Sequence, residues 1–311
     1  MRERGLNNAD SALLVTGSIG IDTVRTPHGV SENCIGGSAI YFAMSASFFS
    51  PVRFVGVIGE DCPFDIPRLF AGRAVDLAGL EIRRNSRTFR WAGTYMKTMD
   101  DRVTDRLELN VLAERPPAVP KAFADSEFVF LANTAPKLQM ELLDQVTAPK
   151  FVAADTMNCW ITDFTDDLLR LLKRVHCLVI NSEEAKLLAE EHNLVLAARK
   201  IIAMGPQIVI VKKGESGSLL CFKDGGTFVL PAYPATDVKD PTGAGDSFAG
   251  GFMGYLAEVG KTDLQALKTA VAYGTVVASY TISDFSLDGL TKLTRAQIDK
   301  RLVELRQCTS F

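Results

Sequence analysis

Several common signatures are absent from this sequence, and each absence excludes a class of protein. The six cysteines contain no CxxC pair, which argues against a zinc site or a disulfide framework. No apolar run reaches the roughly 18 residues that a membrane-spanning helix requires. Lys and Arg number 34 against 37 Asp and Glu and are not clustered, so we expect neither nucleic acid nor a membrane as a partner.

The usual nucleotide-binding motifs are also missing. There is no GxxxxGK[ST] loop, which excludes a P-loop protein. The Gly243-x-Gly245 pair continues with Phe248 instead of a third glycine, so the dinucleotide-binding fingerprint is not formed. Neither the HRD nor the DFG element of protein kinases occurs. A nucleotide-binding site in this chain must therefore use a different loop.

The composition that is present suits a soluble globular protein. Hydrophobic residues make up 47% and charged residues 23% of the 311 positions, which allows a sizeable core without disulfides. The first ten residues are polar and lack the apolar core of a signal peptide. Scattered free cysteines are typical of a reducing compartment, so we expect a cytoplasmic protein.

The apolar pattern predicts a mainly parallel, doubly wound α/β sheet. Helical stretches separate most of the predicted buried strands, as in repeated βαβ units. Two antiparallel hairpins stand apart, at residues 22–35 and at residues 88–112, which turn at residues 100–102. The predicted buried strands are residues 12–19, 52–58, 128–131, 151–154, 177–180, 208–212 and 218–222, and the clearest helices are residues 38–49, 245–258 and 263–282.

The strongest chemical signal is the segment DPTGAGDSFAGG at residues 240–251, where small residues run directly into a helix. Gly243, Ala244 and Gly245 leave backbone N–H groups open to an anion, and the helix dipole adds positive charge there. Such a site suits a phosphoryl group in transfer. Asp246, in the first turn, is placed to accept a proton from an attacking hydroxyl. The alternative is that Asp246 only caps the helix and the glycines only form a turn.

Three glycines inside the same predicted helix need a reason. Gly250, Gly251 and Gly254 each lower helix stability by roughly 1 kcal/mol relative to Ala. We therefore expect another backbone or a ligand to approach the helix closely at these positions.

On these residues the chain resembles the ribokinase-like (PfkB) family of carbohydrate and nucleoside kinases. Residues 240–251 are close to the family's C-terminal signature, with Pro241 in place of Thr. The N-terminal signature is matched by GSIGID at residues 17–22, by the following Gly-Gly pair, and by VIGED at residues 57–61. The resemblance covers residues 12–285 in the family's order. The stretches FRWAGTYM and DTMNCWI resemble a bacterial subgroup that includes nucleoside kinases.

The resemblance implies a three-layer α/β/α fold with a mainly parallel central sheet, as a single kinase domain over residues 1–311. It also implies a small β lid, formed by about residues 20–35 and 82–114, that closes over the substrate and excludes water. Relatives commonly pair lid to lid, so a homodimer through the lid is expected as a possibility.

The implied activity is ATP-dependent phosphorylation of a hydroxyl, with a primary CH2OH of a sugar or ribonucleoside expected, and with Mg2+ as the metal. Asp246 would be the base, and the amides of Gly243, Ala244 and Gly245 would bind the phosphoryl group. A catalytically idle nucleotide-binding regulator of the same fold is the alternative. A phosphosugar acceptor would require Arg or Lys side chains in the lid, and the presence of Arg87, Arg90 and Lys97 leaves that alternative open.

On the substrate side, the resemblance assigns Asp22 to the acceptor hydroxyls and Gly36 and Gly37 to the turn that closes over the acceptor. The ribose-specific set of true ribokinases is incomplete, because Ser38 and Thr134 replace their Lys and Glu.

Four further residues are candidates for the acceptor site. Asn133, beside the position of that Glu, is expected to contact the acceptor. Asp155 ends a strand on the expected edge, and the alternative role for it is to cap a turn. Tyr41 and Trp91 are able to stack on a base or a sugar face, and packing in the core is the alternative for both.

On the nucleotide side, the resemblance implies an N-x-x-E element that holds Mg2+ through water and contacts the ATP phosphates. It also implies a strand end with a G-x-x-G turn, and an aromatic residue where relatives carry Asn near the adenine. These residues are Asn181, Glu184, Lys212, Gly214, Gly217 and Tyr273.

A monovalent cation site is only half present. Asp240 and Thr242 retain one half of the family's site, and the Gly-Ala of the other half is missing around residues 283–285. The resemblance therefore leaves K+ as a possible cofactor.

Overall fold

The computed structural model describes residues 12–99 and 102–310 of the chain. Its strands, in chain order, are β1 Leu13–Thr16, β2 Gly20–Thr26, β3 Gly29–Gly36, β4 Val52–Gly59, β5 Val75–Arg83, β6 Phe89–Tyr95, β7 Arg102–Glu108, β8 Phe128–Leu131, β9 Phe151–Asp155, β10 Cys177–Asn181, β11 Ile208–Lys212, β12 Ser218–Phe222 and β13 Thr227–Leu230. Its α-helices are α1 Ser38–Ala46, α2 Ile66–Leu69, α3 Pro136–Leu143, α4 Asn158–Asp163, α5 Thr165–Leu172, α6 Ser182–Ala189, α7 Leu194–Met204, α8 Ala244–Val259, α9 Leu264–Thr281, α10 Asp288–Thr291 and α11 Arg295–Thr309.

Nine strands form one large sheet in the order β13-β12-β11-β10-β9-β8-β1-β4-β5. Every neighbouring pair from β11 to β5 is parallel. At the other edge, the pairs β11–β12 and β12–β13 are antiparallel. The predicted mainly parallel sheet is therefore confirmed. Strands β5 and β13 were not predicted, because both are edge strands with few buried residues and lack the apolar run of a central parallel strand.

Alternation along the central strands divides the interior into two cores, one on each face of the sheet. Phe128 and Phe130 of β8 join the core under α1, α8, α9 and α11, whereas Val129 and Leu131 join the core under α3, α5, α6 and α7. Successive side chains of a strand point to opposite faces, so one apolar strand serves both cores. The result is the expected arrangement of helices, sheet and helices in three layers.

Four strands form a separate small sheet in the order β3-β2-β6-β7. The pairs β2–β3 and β6–β7 are antiparallel, which confirms the two predicted hairpins, and β2 joins β6 in parallel. The predicted turn residues 100 and 101 lie outside the described residues. Residues 82 and 83, expected at the start of the lid, belong to β5 in the large sheet.

The helical glycines mark close contacts between backbones. A Cβ atom on Gly250 would overlap the carbonyl oxygen of Phe42 in α1, and one on Gly251 would lie 3.0 Å from the Cα of Gly274 in α9. A Cβ on Gly254 would lie 3.0 Å from the Cα of Ala46. Other backbones therefore meet α8 at all three positions, as one of the two expected alternatives stated. Within the described ranges, no helix is both long enough and apolar enough to cross a membrane.

Replacing Gly250 with Ala is expected to destabilise the protein, although Ala is the better helix former by about 1 kcal/mol. The added methyl group would force α1 and α8 apart, and overpacking of this kind costs about 1–3 kcal/mol. Urea denaturation of Gly250→Ala measures the effect. The control is Gly226→Ala in the turn before β13, where the nearest atom to the new Cβ is a side-chain oxygen at 3.1 Å. Equal stability of both variants would contradict the proposed backbone contact.

Candidate active site

Three polar side chains meet at the carboxyl edge of the large sheet. Asp155, Asn181 and Lys212 are the last residues of the adjacent parallel strands β9, β10 and β11. In the register of the sheet, Asp155 pairs with Val179 and Asn181 pairs with Lys212. This edge is where ligands bind in open α/β sheets.

The start of α8 faces this edge and exposes amide groups. Gly243 is the N-cap in the left-handed region, with φ 74°, and a Cβ there would overlap the Tyr41 ring. The N–H of Ala244 donates to the carbonyl of Pro241 at 3.1 Å, so it is occupied, contrary to the prediction of an open amide there. The amides of Gly245 and Asp246 have no hydrogen-bond acceptor among the described residues. The Gly243 N–H also has no acceptor among the described residues, so an anion would meet three open amides here, with that of Asp246 in place of that of Ala244.

Lys212 supplies positive charge beside these amides. Its Nζ atom would lie 2.6 Å from a Cβ placed on Gly245. Burial raises the pKa of Asp246, and the charges of Lys212 and Arg102 oppose that rise. The carboxylate of Asp246, half-buried at the cavity wall, therefore has cationic groups close to it.

Asp22 of β2 explains the paired glycines. A Cβ on Gly36 would overlap the carboxylate of Asp22, and a Cβ on Gly37 would overlap the carbonyl of Ser18. Gly37 also has a φ of 101° as the N-cap of α1. The two glycines therefore leave room for the buried Asp22 side chain and for the tight entry into α1.

Buried carboxylates concentrate negative charge around the site. Burial, followed by the charges of Asp246 and Asp240, raises the pKa of Asp22 to about 7. Burial and the charge of Asp246 raise the pKa of Asp155 well above its usual value, although Lys212 opposes this. One oxygen on each of Asp22 and Asp155 is buried without a hydrogen-bond partner among the described residues. Such atoms are suited to accept hydrogen bonds from a ligand's hydroxyl groups or to hold a cation.

These groups border a cavity of about 120 Å3 between the two sheets. Asp22, Gly37, Asn133, Thr242, Gly243 and Asp246 line its polar part. Its remaining wall is largely aromatic and aliphatic, and consists mainly of Phe89, Trp91, Leu107, Leu109, Leu112, Met157 and Trp160. The cavity wall thus combines carboxylates with apolar and aromatic side chains.

The two aromatic candidates both reach this cavity. Tyr41 is only 2% exposed and packs in the core, yet it lines the cavity wall and supports Gly243. Core packing and the site are therefore compatible roles for it. Trp91 lines the cavity from the small sheet, where Asp22 is its register partner across β2 and β6.

Several lining residues were missed by the sequence motifs. Trp160 donates from Nε1 to Oδ1 of Asn133 at 2.7 Å, and so orients that amide in the cavity. Its position five residues after Asp155, at the end of a buried strand, was the available signal. Arg102 also lines the cavity and gave no such signal, because strand pattern alone does not say which side chains reach across a cavity.

Asn181 and Glu184 cap α6 reciprocally. The Glu184 N–H donates to Asn181 Oδ1 at 2.8 Å, and the Asn181 N–H donates to Glu184 Oε2 at 3.0 Å. Burial raises the pKa of Glu184, and Lys212 opposes this. Mg2+ usually keeps several waters and takes only one or two carboxylates, so a fixed Glu184 near the orphaned Asp155 oxygen fits this ion. Within the described ranges, no three His, Cys, Asp or Glu residues form a ready-made metal cluster.

The other nucleotide-side candidates lie in two places. Gly214 and Gly217, both with positive φ, form the turn that follows Lys212 between β11 and β12. Tyr273 is turned away from this group, because its ring packs on Phe49 and Tyr255 and its hydroxyl donates to Asp299 at 2.9 Å. The structure does not bring Tyr273 together with the other candidates.

Asp240 joins two loops at the candidate cation site. Its carboxylate is 1% exposed and accepts the N–H of Thr242 at 2.9 Å and that of Ser286 at 3.2 Å. Lys239 and Asp284 form an ion pair of 3.5 Å across the same two loops. The loops are therefore held together by groups of the chain itself.

Comparison with known proteins places this architecture among described kinases. The model of the pfkB family of carbohydrate kinases matches residues 31–288. The cytidine kinase of Thermococcus kodakarensis is 30% identical over 250 residues, which make up 78% of this chain and 87% of that protein. The ribokinase of Cryptococcus neoformans var. grubii in complex with ADP is similar at a TM-score of 0.77, with 20% identity over 94% of this chain and 99% of that chain. The nucleoside kinase of Burkholderia thailandensis in complex with inosine is similar at a TM-score of 0.75, with 20% identity over 94% of this chain and 98% of that chain.

The polar edge of the sheet, the Lys212 ammonium group and the glycine-rich start of α8 define the class as an α/β phosphotransferase. Within that class, the chain belongs to the pfkB family of carbohydrate kinases. It is a kinase for the ATP-dependent phosphorylation of a sugar or nucleoside, and its family uses ATP with a divalent metal. The predicted family, fold and kinase class are confirmed.

The stability of the ligand-free protein should fall as pH rises, in part because of Asp22. Its folded pKa of about 7 exceeds that of an unfolded Asp, so the contribution is full below about pH 4 and is lost as pH rises through 7. When the pH is raised from 5 to 8, the free energy of unfolding should fall by about 2–3 kcal/mol more in the unmodified protein than in Asp22→Asn. Urea denaturation at both pH values tests this, with Asp166→Asn at an exposed site as control. An unchanged pH dependence in Asp22→Asn would contradict the assignment.

Proposed function

We propose that this kinase phosphorylates the primary hydroxyl of a ribonucleoside. The observation that carries the proposal is the mixed lining of the cavity, to which Asp22 and Asp246 contribute carboxylates and Trp91, Trp160 and Met157 contribute apolar and aromatic surface. The carboxylates suit the hydroxyls of a ribose, and the aromatic residues suit the flat face of a base. The similarity to a cytidine kinase supports the same acceptor class.

The reaction follows from the arrangement of these groups. The acceptor oxygen bonds to the γ-phosphorus of ATP as the bond from that phosphorus to the β,γ-bridging oxygen breaks, and ADP leaves with the electron pair. Asp246 takes the hydroxyl proton, and Asp22 orients the acceptor by accepting hydrogen bonds from other hydroxyls. The open amides of Gly245 and Asp246, with Lys212, stabilise the charge on the phosphoryl group.

The metal and nucleotide roles belong to the same proposal. Glu184, fixed by Asn181, would hold Mg2+ through water, and the metal would neutralise phosphate charge. Gly214 and Gly217, after Lys212, would border the nucleotide. Potassium at Asp240 and Thr242, and an adenine contact from Tyr273, stay predictions, and the position of Tyr273 does not support the latter.

The proposal extends to the assembly and the location of the protein. The small sheet, from residues 20 to 36 and 89 to 108, lies over the cavity and is proposed as the lid of a single kinase domain. Its edge strands β3 and β7 expose Val30 and Val103, which favours a homodimer through the lid. ATP use and six free cysteines are compatible with a cytoplasmic location.

Asp246→Asn should lower kcat by several orders of magnitude while ATP binding survives, because Asn cannot accept the hydroxyl proton. Turnover assays and calorimetric ATP titration measure the two effects separately. The control is Asp288→Asn, which changes an exposed carboxylate in the first turn of another helix, α10. Near-normal turnover of Asp246→Asn would contradict the role of this base.

An acceptor panel decides the substrate class. We expect kcat/KM for cytidine or inosine to exceed that for ribose or fructose by at least about tenfold, because sugars have no base to pack on the aromatic side chains of the cavity. A preference for a phosphosugar would contradict the proposal. Arg87, Arg90 and Lys97 do not line the cavity, and Arg90 pairs with Asp61 at 3.2 Å. If no member of a broad alcohol library causes ATP to be consumed, the result would instead favour the idle regulator.

A further inference from the structure

The small sheet contributes a positive charge to the cavity through Arg102, the first residue of β7. Arg102 lines the cavity together with Asp246, although part of its side chain remains exposed. Its Cζ atom lies 5.7 Å from the centre of the Trp91 ring on the neighbouring strand β6. The guanidinium therefore belongs to the part of the small sheet that faces the cavity.

The charge of Arg102 acts on the groups assigned to phosphoryl transfer. Burial raises the pKa values of Asp246 and Glu184, and the charges of Lys212 and Arg102 oppose both rises. Burial disfavours the charge on Arg102 itself, but Tyr95, Glu184 and Asp246 favour it, and the pKa of Arg102 is raised. Arg102 and Asp246 line the same cavity, so the guanidinium belongs to the same cavity wall as the proposed base.

Tyr95 connects Arg102 to the loop that precedes α8. Tyr95 and Arg102 are register partners on β6 and β7, and the charge of Arg102 acts on the Tyr95 hydroxyl by opposing the rise in its pKa that burial causes. The same hydroxyl accepts a hydrogen bond of 3.3 Å from Thr242 Oγ1, and the Thr242 N–H donates to Asp240. Tyr95 is buried, so this chain of contacts is shielded from water.

We propose that Arg102 is a catalytic residue that binds the oxygens of the phosphoryl group in transit, and that Tyr95 is a positioning residue that joins Arg102 to the 240–246 loop. A guanidinium presents several N–H donors in one plane, which suits the equatorial oxygens of a transferring phosphoryl group. This inference rests on the proposed transfer of phosphate at Asp246.

The location of Arg102 on the small sheet gives the contact a second consequence. Lys212 and the open amides belong to the large sheet and α8, so they are in place whether or not the small sheet covers the acceptor. Arg102 completes the charge only when the small sheet lies over the cavity. Transfer to water in the absence of acceptor is thereby disfavoured.

Two substitutions, each with a matched control on the same strand, test the proposal. Arg102→Gln removes the guanidinium, and its control is Arg106→Gln, because Arg106 is exposed on β7 and pairs with Glu108. Tyr95→Phe removes only the hydroxyl. Its control is Thr94→Val, which removes a 2.8 Å hydrogen bond to Asp105 on the opposite face of the same strands.

The expected results separate the two roles. Arg102→Gln should lower kcat about 100- to 1000-fold with the acceptor dissociation constant changed less than about threefold, and Arg102→Lys should recover part of the loss. Tyr95→Phe should lower kcat about tenfold. With a non-hydrolysable ATP analogue and cytidine bound, it should also speed amide hydrogen exchange in β6 and β7, a readout independent of turnover. Both control variants should match the unmodified enzyme.

Three results would overturn the inference. The first is a kcat for Arg102→Gln equal to that of Arg106→Gln. The second is a rise in acceptor KM at unchanged kcat, which would make Arg102 an acceptor-binding residue. The third is hydrogen exchange in Tyr95→Phe equal to that in Thr94→Val. Asp246→Asn is measured in parallel: if it alone is inactive, only this inference fails, and if it retains turnover, the proposed function fails.

Discussion

The electrostatic self-repulsion of buried carboxylates is the constraint on which this site depends. Asp22 and Asp246 line one small cavity, Asp155 and Glu184 interact electrostatically with Asp246, and burial raises the pKa of each of the four. Lys212 opposes that rise for the last three, and two carboxylate oxygens remain without a partner among the described residues. The ligand-free site is therefore strained by charge, and a metal ion, hydroxyl donors and a phosphoryl group each relieve it in a different way.

Close backbone contacts hold these charges in place. Gly36 makes room for the Asp22 carboxylate, Gly243 allows Tyr41 to pack beneath the helix start, and Gly250 brings α8 against α1. Each contact is closer than any other residue permits, so the geometry of the site is set by the packing of the large-sheet core. A rigid scaffold of this kind positions donors before the reaction and reduces the reorganisation that transfer requires.

The small sheet has the opposite character. It carries Asp22, Trp91 and Arg102 to the cavity wall, and the bond between Thr242 and Tyr95 links it to the loop before α8. As the proposed lid, it would open for substrate entry and close before transfer. In the proposed mechanism, the small sheet therefore both selects the acceptor and completes the positive charge around the phosphoryl group.

Local signals in the sequence were sufficient for the sheet, the helix start at residues 243–246, the pairs of glycines, and the polar residues that end parallel strands, because strand alternation and glycine geometry act over a few residues. The chain also determined which motifs are present and in which order. Tertiary structure decided that the Ala244 amide is occupied and that Tyr273 packs away from the site. It also decided that Tyr41 serves both the core and the cavity wall, and that Arg102 and Trp160 reach the cavity. These depend on contacts between residues distant in the chain, whose side-chain directions are set only when the two sheets meet.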